Sequence, residues 1–321
     1  MKIVIAYNKP GSDALEDELD ILHEVKLISD CLTDLGHESL ELPVTLDLAS
    51  AVQFLKMKSP DLVFNLTESL ENHGAVVYFV PALLDVLRIP YTGNPTIPMF
   101  ITASKVLTKK HLASEGIPIT DSIKPSEARK LPPGKFIVKP IWEEGSLDLD
   151  EKNVFTIPGT DLSEIINLPE DLYFIEPFIE GREFNVSMLA GSEAPQVLAV
   201  AEILFIGFPE EKPKMLGYKA KWKEDSFEYV NTIRTYDLGL DTGNSLQKAL
   251  AEISVKCWDT LGLRGYARVD FRMDIQGNLF VLEVNSNPCI TPGSGYYAAC
   301  EQAGITFTQA VDRIIKDALK K

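Results

Sequence analysis

Two carboxylates and an amide, Asp270, Glu283 and Asn285, are spaced so that they can face one ligand. The segment from Gly265 to Asn285 alternates apolar and polar residues on either side of a glycine-containing turn, which reads as an antiparallel hairpin. With Gln276 and Gly277 as a two-residue loop, Asp270 falls opposite Glu283 and Arg268 opposite Asn285. All four side chains then share one face, while Val269, Phe271, Leu282 and Val284 turn into a core. Like charges directly across a ladder repel unless something cationic lies between them. Oxygen ligands from Asp, Glu and Asn suit Mg²⁺ or Mn²⁺ and not zinc. The same pattern also fits a surface sheet whose carboxylates are neutralised by Arg268 and Arg272.

Further residues suit a nucleotide. Lys139-Pro140 ends a strand and is followed by the loop Trp142-Glu143-Glu144-Gly145-Ser146; an ammonium beside the amides of a glycine-containing loop can hold phosphates. Lys105 begins a helical run, and Lys221 sits in Tyr218-Lys219-Ala220-Lys221-Trp222. Glu176-Pro177-Phe178-Ile179 offers extended main chain to an adenine edge, and Glu183 a carboxylate to ribose hydroxyls. Taken singly, each lysine also reads as a solvated side chain, and an edge strand needs no ligand.

The elements that must position these groups follow from the hydrophobic pattern. The chain has 321 residues, 45% hydrophobic and 24% charged, which suits two or three globular units and excludes a disordered or collagenous chain. A net charge of −16 argues against general attraction to nucleic acid or anionic lipid, so an anionic ligand must be gripped locally. Cys31, Cys257, Cys289 and Cys300 form no C-x-x-C pair and no disulfide framework, which points to a reducing cytoplasm. The N-terminus opens as the strand Lys2–Tyr7 with no leader pattern, and no apolar run is long enough to span a membrane.

Strand and helix patterns alternate through the first ninety residues: strands at Ile3–Ala6, Ser39–Val44 and Leu62–Leu66, and helices at Leu15–Leu35 (ending at Gly36), Leu48–Met57 and Val76–Leu87. That alternation implies a parallel sheet covered on both faces. No G-x-G-x-x-G follows the first strand, which removes the main support for a dinucleotide site. Prolines and glycine in 93–98 mark a boundary. A helix at roughly Thr102–Glu115 and strands at Lys135–Pro140 and Tyr173–Ile179 form a small α+β unit. From Glu183 the chain is strand-rich, with helices Ser245–Leu261 and Thr306–Leu319 to cover that sheet. The expected division is 1–93, 94–182 and 183–321.

Taken in this order, the residues resemble the ATP-grasp superfamily, and within it the D-alanine–D-alanine ligase family. The likeness runs over nearly the whole chain and is clearest at Pro90-Tyr91-Thr92-Gly93, Ser104-Lys105, Val138-Lys139-Pro140 with Glu144-Gly145-Ser146, Ile175-Glu176 through Glu183-Phe184, Lys219-Ala220-Lys221, Arg268-Val269-Asp270 and Leu282-Glu283-Val284-Asn285. It implies an α/β and α+β architecture, an N-terminal parallel-sheet domain ahead of two ATP-grasp subdomains with ATP between them. By the resemblance Lys105 and Lys139 contact ATP phosphates, Glu176, Pro177, Phe178 and Ile179 hold adenine, Glu183 holds ribose and Lys221 reaches the γ-phosphate. Asp270, Glu283 and Asn285 would bind two Mg²⁺ (or Mn²⁺) ions. Arg268, Lys221 and Ser146 are the expected catalytic residues; Ser294 and Cys289 are placed against the amino-acid substrate.

The implied reaction is ATP-dependent joining of a carboxylate to an amine through an acylphosphate, with D-alanyl-D-alanine for peptidoglycan biosynthesis as product. An acylphosphate must be kept from water, so Glu143–Asn153 and Phe208–Trp222 are expected lids. The partners implied are small amino acids, with no nucleic acid or membrane, and a homodimer is one assembly open to the chain. Departures from the family pattern lie on the substrate side. Asn8-Lys9-Pro10-Gly11-Ser12-Asp13 replaces the glycine-rich loop, with Glu16 or Glu18 as candidates for its amine-binding carboxylate. Asn65-Leu66-Thr67-Glu68-Ser69 stands where a histidine and glycines are usual, Trp222 where the motif has tyrosine, Cys289 where it has glycine, and Ser146-Leu147 where it has paired serines. Cys289 itself reads as a small buried residue before any thiol chemistry. Two alternatives stand beside this reading: a paralogue joining other amino acids in specialised metabolism, and a non-catalytic nucleotide-binding regulator. The complete set Lys139, Lys221, Arg268, Asp270, Glu283 and Asn285 argues against the regulator.

Overall fold

A computed structural model describes all residues except 12, 13, 15, 143–148, 240–242 and 321, and only the backbone of 16–18, 243 and 244. In chain order the elements are β1 (Lys2–Asn8), α1 (Glu16–Asp34), β2 (Glu38–Val44), α2 (Leu48–Lys58), β3 (Leu62–Asn65), α3 (Phe79–Leu87), α4 (Thr96–Thr102) and α5 (Lys105–Ser114). Next come β4 (Gly134–Pro140), β5 (Val154–Ile157), β6 (Tyr173–Pro177), β7 (Gly181–Leu189), β8 (Gln196–Phe205), α6 (Tyr218–Trp222) and α7 (Phe227–Val230). The chain finishes with β9 (Thr232–Thr235), α8 (Gly243–Leu261), β10 (Tyr266–Asp274), β11 (Leu279–Asn285), α9 (Gly295–Gln302) and α10 (Phe307–Ala318).

The first sheet is parallel, in the order β2-β1-β3. Strand alternation divides its side chains between two cores: Ile3, Ile5 and Phe64 meet α1, whereas Val4, Ala6 and Val63 meet α2 and α3. The sheet is therefore covered on both faces, as the β/α alternation implies. Asp47 caps α2 by accepting from the Ser50 N–H at 3.3 Å, and Gly36, at φ +74°, turns the chain out of α1.

The second sheet, β5-β4-β6, and the third, β11-β10-β7-β8-β9, are antiparallel. One face of the third sheet, including Phe184, Val186, Val269 and Phe271, packs against Leu250, Cys257 and Trp258 of α8. The other face changes character along its length. Tyr266 and Leu189 are buried with α9 and α10, and beyond them the same face carries Arg268, Asp270 and Arg272 paired across β7 with Ser187, Asn185 and Glu183. Helix α10 covers this sheet as expected, and because its Val311 and Ile314 share one core with Leu189, Ile28 and Ile5 it seals the first sheet as well.

Two readings of the elements are corrected. The helix expected at Thr102–Glu115 starts at Lys105, because Ser104 leaves the helical region (φ −109°, ψ 110°) and caps it by accepting from the Leu107 N–H at 3.3 Å, and a separate helix, α4, precedes it from Thr96 to Thr102. The helix at Val76–Leu87 starts later, at Phe79, after a 3₁₀ turn at Gly74–Val76. Among the described residues no helix is long and apolar enough to cross a membrane.

Candidate active site

The hairpin brings the acidic groups together by a different route from the one its alternation suggests. Its loop is three residues, Ile275-Gln276-Gly277, closed by the Gly277 N–H on the Asp274 carbonyl at 3.1 Å, with Gly277 at φ +88°. A three-residue loop alone would set Asp270 and Glu283 on opposite faces. A bulge between Asp270 and Phe271 restores the pairing: Phe271 lies opposite Val281, and beyond the extra residue Asp270 lies opposite Glu283 and Arg268 opposite Asn285. The extra residue is Leu282, which lines the cleft, and Val281 takes the core position expected of it.

Between the second and third sheets lies a cleft of about 760 Å³, counting the solvent at its mouth. Of the residues expected to bind ATP, Lys105, Lys139, Glu176, Pro177, Phe178, Ile179, Glu183 and Lys221 line it, together with the expected metal ligands Asp270 and Glu283. Asn285 lines a small adjoining cavity with Lys105 and Glu283. The Lys105 ammonium lies 3.9 Å from Glu283. Burial alone would raise the Glu283 pKa, but Lys105, Lys221, Lys139 and Arg268 outweigh it and hold the carboxylate at about 2. Lys221 is shifted down from an ordinary lysine by burial first and then by Arg268.

Asp270 is more heavily used than expected. The Arg268 fork donates to both its oxygens, at 2.7 and 2.8 Å, and Asn185 donates to Oδ1 at 2.8 Å. A carboxylate has about four acceptor positions, so a single one is left for a metal. Glu283 faces the cleft, and the Asn285 Oδ1 accepts from the Asn287 N–H at 3.0 Å with one lone pair remaining. The all-oxygen set therefore fits Mg²⁺ or Mn²⁺, with Asp270 as a one-oxygen ligand. Arg268 and Asp270 form a closed pair, as in the reading of a sheet whose carboxylates are neutralised by Arg268 and Arg272. Arg272 is structural too: it donates to Glu183 at 2.7 Å and to the Ile179 carbonyl at 3.1 Å, and lies over the Phe178 ring.

These contacts change what the adenine segment can offer. Phe178 N–H is spent on the Lys135 carbonyl, and Ile179 C=O on Arg272. The Glu176 carboxylate, 1% exposed, lies between Lys139 at 2.6 Å and Lys109 at 2.8 Å. Lys109 went unnoticed in the sequence, although it stands one helical turn from Lys105. Asn185 did too, and its signal was the polar alternation Glu183, Asn185, Ser187 along β7.

The substrate-side residues lie beyond Arg268. Ser294 caps α9, accepting from the Tyr297 N–H at 3.2 Å, and a Cβ on the adjoining Gly295 would come within 3.9 Å of both Arg268 and Arg234. Cys289 is half-buried and hydrogen-bonded to Asp20 Oδ2 at 3.1 Å and to Thr291 at 3.0 Å. Burial, with Glu24, Glu68 and Asp20 nearby, pushes its thiol well above the ordinary value, which leaves it a packed thiol and not a nucleophile. Ser146 and most of the first lid lie outside the described residues. The end of the first lid is fastened to the second: the Tyr218 N–H donates to the Leu149 carbonyl at 2.9 Å, and Lys212 joins Glu151 at 2.6 Å and Glu228 at 2.9 Å.

Known proteins agree with this architecture. Residues 151–316 match the family model for the D-ala D-ala ligase C-terminus. A D-alanine–D-alanine ligase of Aquifex aeolicus is 29% identical over 323 residues, covering 98% of this chain and 100% of that protein. The solved D-alanine–D-alanine ligase from Bacillus anthracis, in complex with ATP, superposes with a TM-score of 0.73 at 21% identity over 99% of this chain and 97% of that one. The VanG D-Ala:D-Ser ligase from Enterococcus faecalis gives 0.71 at 18% identity over 99% of each. With the fold of those enzymes and a family match over more than half its length, the chain belongs to the D-alanine–D-alanine ligase family of the ATP-grasp superfamily.

Proposed function

We propose that the protein is an ATP-dependent carboxylate–amine ligase that joins two amino acids, with D-alanyl-D-alanine as product. The observation that carries this reading is the cleft in which Lys105, Lys139 and Lys221 surround Glu283 and Asp270. The three ammonium groups grip a polyphosphate that the protein's net charge would otherwise repel. One amino-acid carboxylate takes the γ-phosphoryl group of ATP, leaving ADP; the second amino acid's amine attacks the acylphosphate, and phosphate departs. Arg268, once its fork turns from Asp270, offers two N–H groups to the oxyanion that forms on that carbon, and the joined loops at Leu149 and Gly217 exclude water. Glu283, Asn285 and one oxygen of Asp270 would hold Mg²⁺, which when bound offsets charge on the phosphates. In this reading residues 1–93, 94–182 and 183–321 are the three domains; each sheet falls within one of them, apart from the first two residues of β7.

A second reading, a ligase for other amino acids, is favoured by Cys289, whose thiol and its Asp20 partner occupy the place where the family motif has glycine. ADP release measured over a panel of D- and L-amino acids tests both. Turnover with D-alanine alone supports the first product, turnover with others selects the second reading, and none with any amino acid refutes the ligase.

A further inference from the structure

Lys139, Glu176 and Lys109 form a buried row with charges plus, minus, plus. Glu176 Oε1 accepts from Lys139 at 2.6 Å, and Oε2 accepts from Lys109 at 2.8 Å and from the Thr120 hydroxyl at 2.5 Å. Thr120 in turn accepts a second hydrogen bond from Lys109 at 2.8 Å, so the rear of the row is closed. The two lysines differ in where they face. Lys139 lines the cleft, with 12% of its side chain exposed, whereas Lys109 does not line it and is 3% exposed.

A lone Lys139–Glu176 pair would be neutral and turned upon itself, and would present no net charge to an anion. Neutralising a buried carboxylate from behind removes that defect. Resting on the reading of the cleft as an ATP site, we propose that Lys109 is a positioning residue: it neutralises Glu176, so that the charge on Lys139 is left for the polyphosphate. Helix geometry supports the arrangement, since Lys105 and Lys109, four residues apart on α5, reach the same cleft, one from its lining and one from behind it. The electrostatics agree. Burial would raise the Glu176 pKa, but Lys109 and Lys139 hold it at about 2; burial is the largest influence at both lysines, yet at Lys139 Glu176 together with Glu283 and Glu183 outweighs it and the shift is up, whereas at Lys109 burial wins and the shift is down.

Calorimetric binding of ATP, without amino acids, to the full-length protein tests the proposal. Lys109→Met should weaken binding roughly ten- to a hundredfold, the effect of one unit charge removed near a phosphate at an effective dielectric of about 20. Lys109→Met combined with Glu176→Gln restores one net positive charge and should recover most of that loss, and Lys109→Arg should bind close to the parent. Should Lys109→Met not fold, Lys109→Gln, which keeps a donor for Glu176 without the charge, is expected to weaken ATP binding over the same range, and parental affinity in that variant overturns the role of Lys109. A folded Lys109→Met protein with parental affinity, or a double variant no better than the single, overturns the role of Lys109. A parent protein that fails to bind ATP takes down the ATP-site reading first and this proposal with it.

Discussion

Glu24, on α1, is 3% exposed and accepts a hydrogen bond from the Ile290 N–H at 2.8 Å. Burial lifts its pKa from 4.5 to about 8, with the Ile290 N–H opposing and Asp20 reinforcing the shift. A carboxyl whose pKa is raised in the fold contributes fully below the unfolded pKa, loses that contribution across the range where the unfolded chain is ionised and the native one is not, and contributes least above the folded pKa. Stability therefore falls as pH rises from about 4.5 and levels off above about 8, by a few kcal/mol on the order given by the shift. Glu24→Gln keeps an acceptor for Ile290 and should flatten melting temperature between pH 5 and pH 8; parallel slopes for parent and variant would show that Glu24 ionises freely in the fold. Glu176 and Glu283, held at about 2, work in the opposite sense, contributing fully above about 4.5 and losing their contribution as pH falls through about 2. Single residues differ in how plainly they can be read. Asp270 and Glu283 were visible because like charges across a ladder demand a reason. Lys109 was not, because a lysine on a polar helix looks solvated until a carboxylate from a distant strand is set against it.

At the level of elements, the two lids meet at Gly217, which has an ordinary φ of −84° and owes its identity to space: a Cβ there would lie 2.8 Å from the Leu149 carbonyl oxygen. Gly217→Ala should part the loops and raise the KM for ATP roughly fivefold, the equivalent of one hydrogen bond of about 1 kcal/mol, with little change in melting temperature. An unchanged KM would mean that the fastening does not serve the nucleotide. Long periodic elements such as α1, α8, β1 and β2 were legible because each repeats its pattern over several turns or pairs, and the short β3 because it is an unbroken apolar run after Pro60. The four-residue strands β5 and β9 and the short helices α6 and α7 were not, since their order comes from neighbours and not from their own periodicity. The hairpin shows how two misreadings can cancel: a loop one residue longer than expected and a bulge one residue deep return Asp270 to Glu283.

On the scale of the molecule, α1, the first sheet, the end of β7, α9 and α10 share one core. Ile314, 1% exposed within it, should cost about 2–5 kcal/mol when replaced by alanine. The distinguishing measurement is hydrogen exchange. Protection should fall at β1 and β3 as well as at β7, and loosening confined to α9, α10 and β7 would mean that the two sheets are stabilised separately. This shared core also bears on how the protein is made. Domains of a growing polypeptide usually fold from the N-terminal end first. Here the cover over one face of the first sheet is complete only when α10 has left the ribosome, so Ile3, Ile5 and Phe64 stay without their full apolar surroundings through most of synthesis. The nascent chain carries an adhesive strand for that whole interval, and a chaperone that shields it is the assistance this topology calls for.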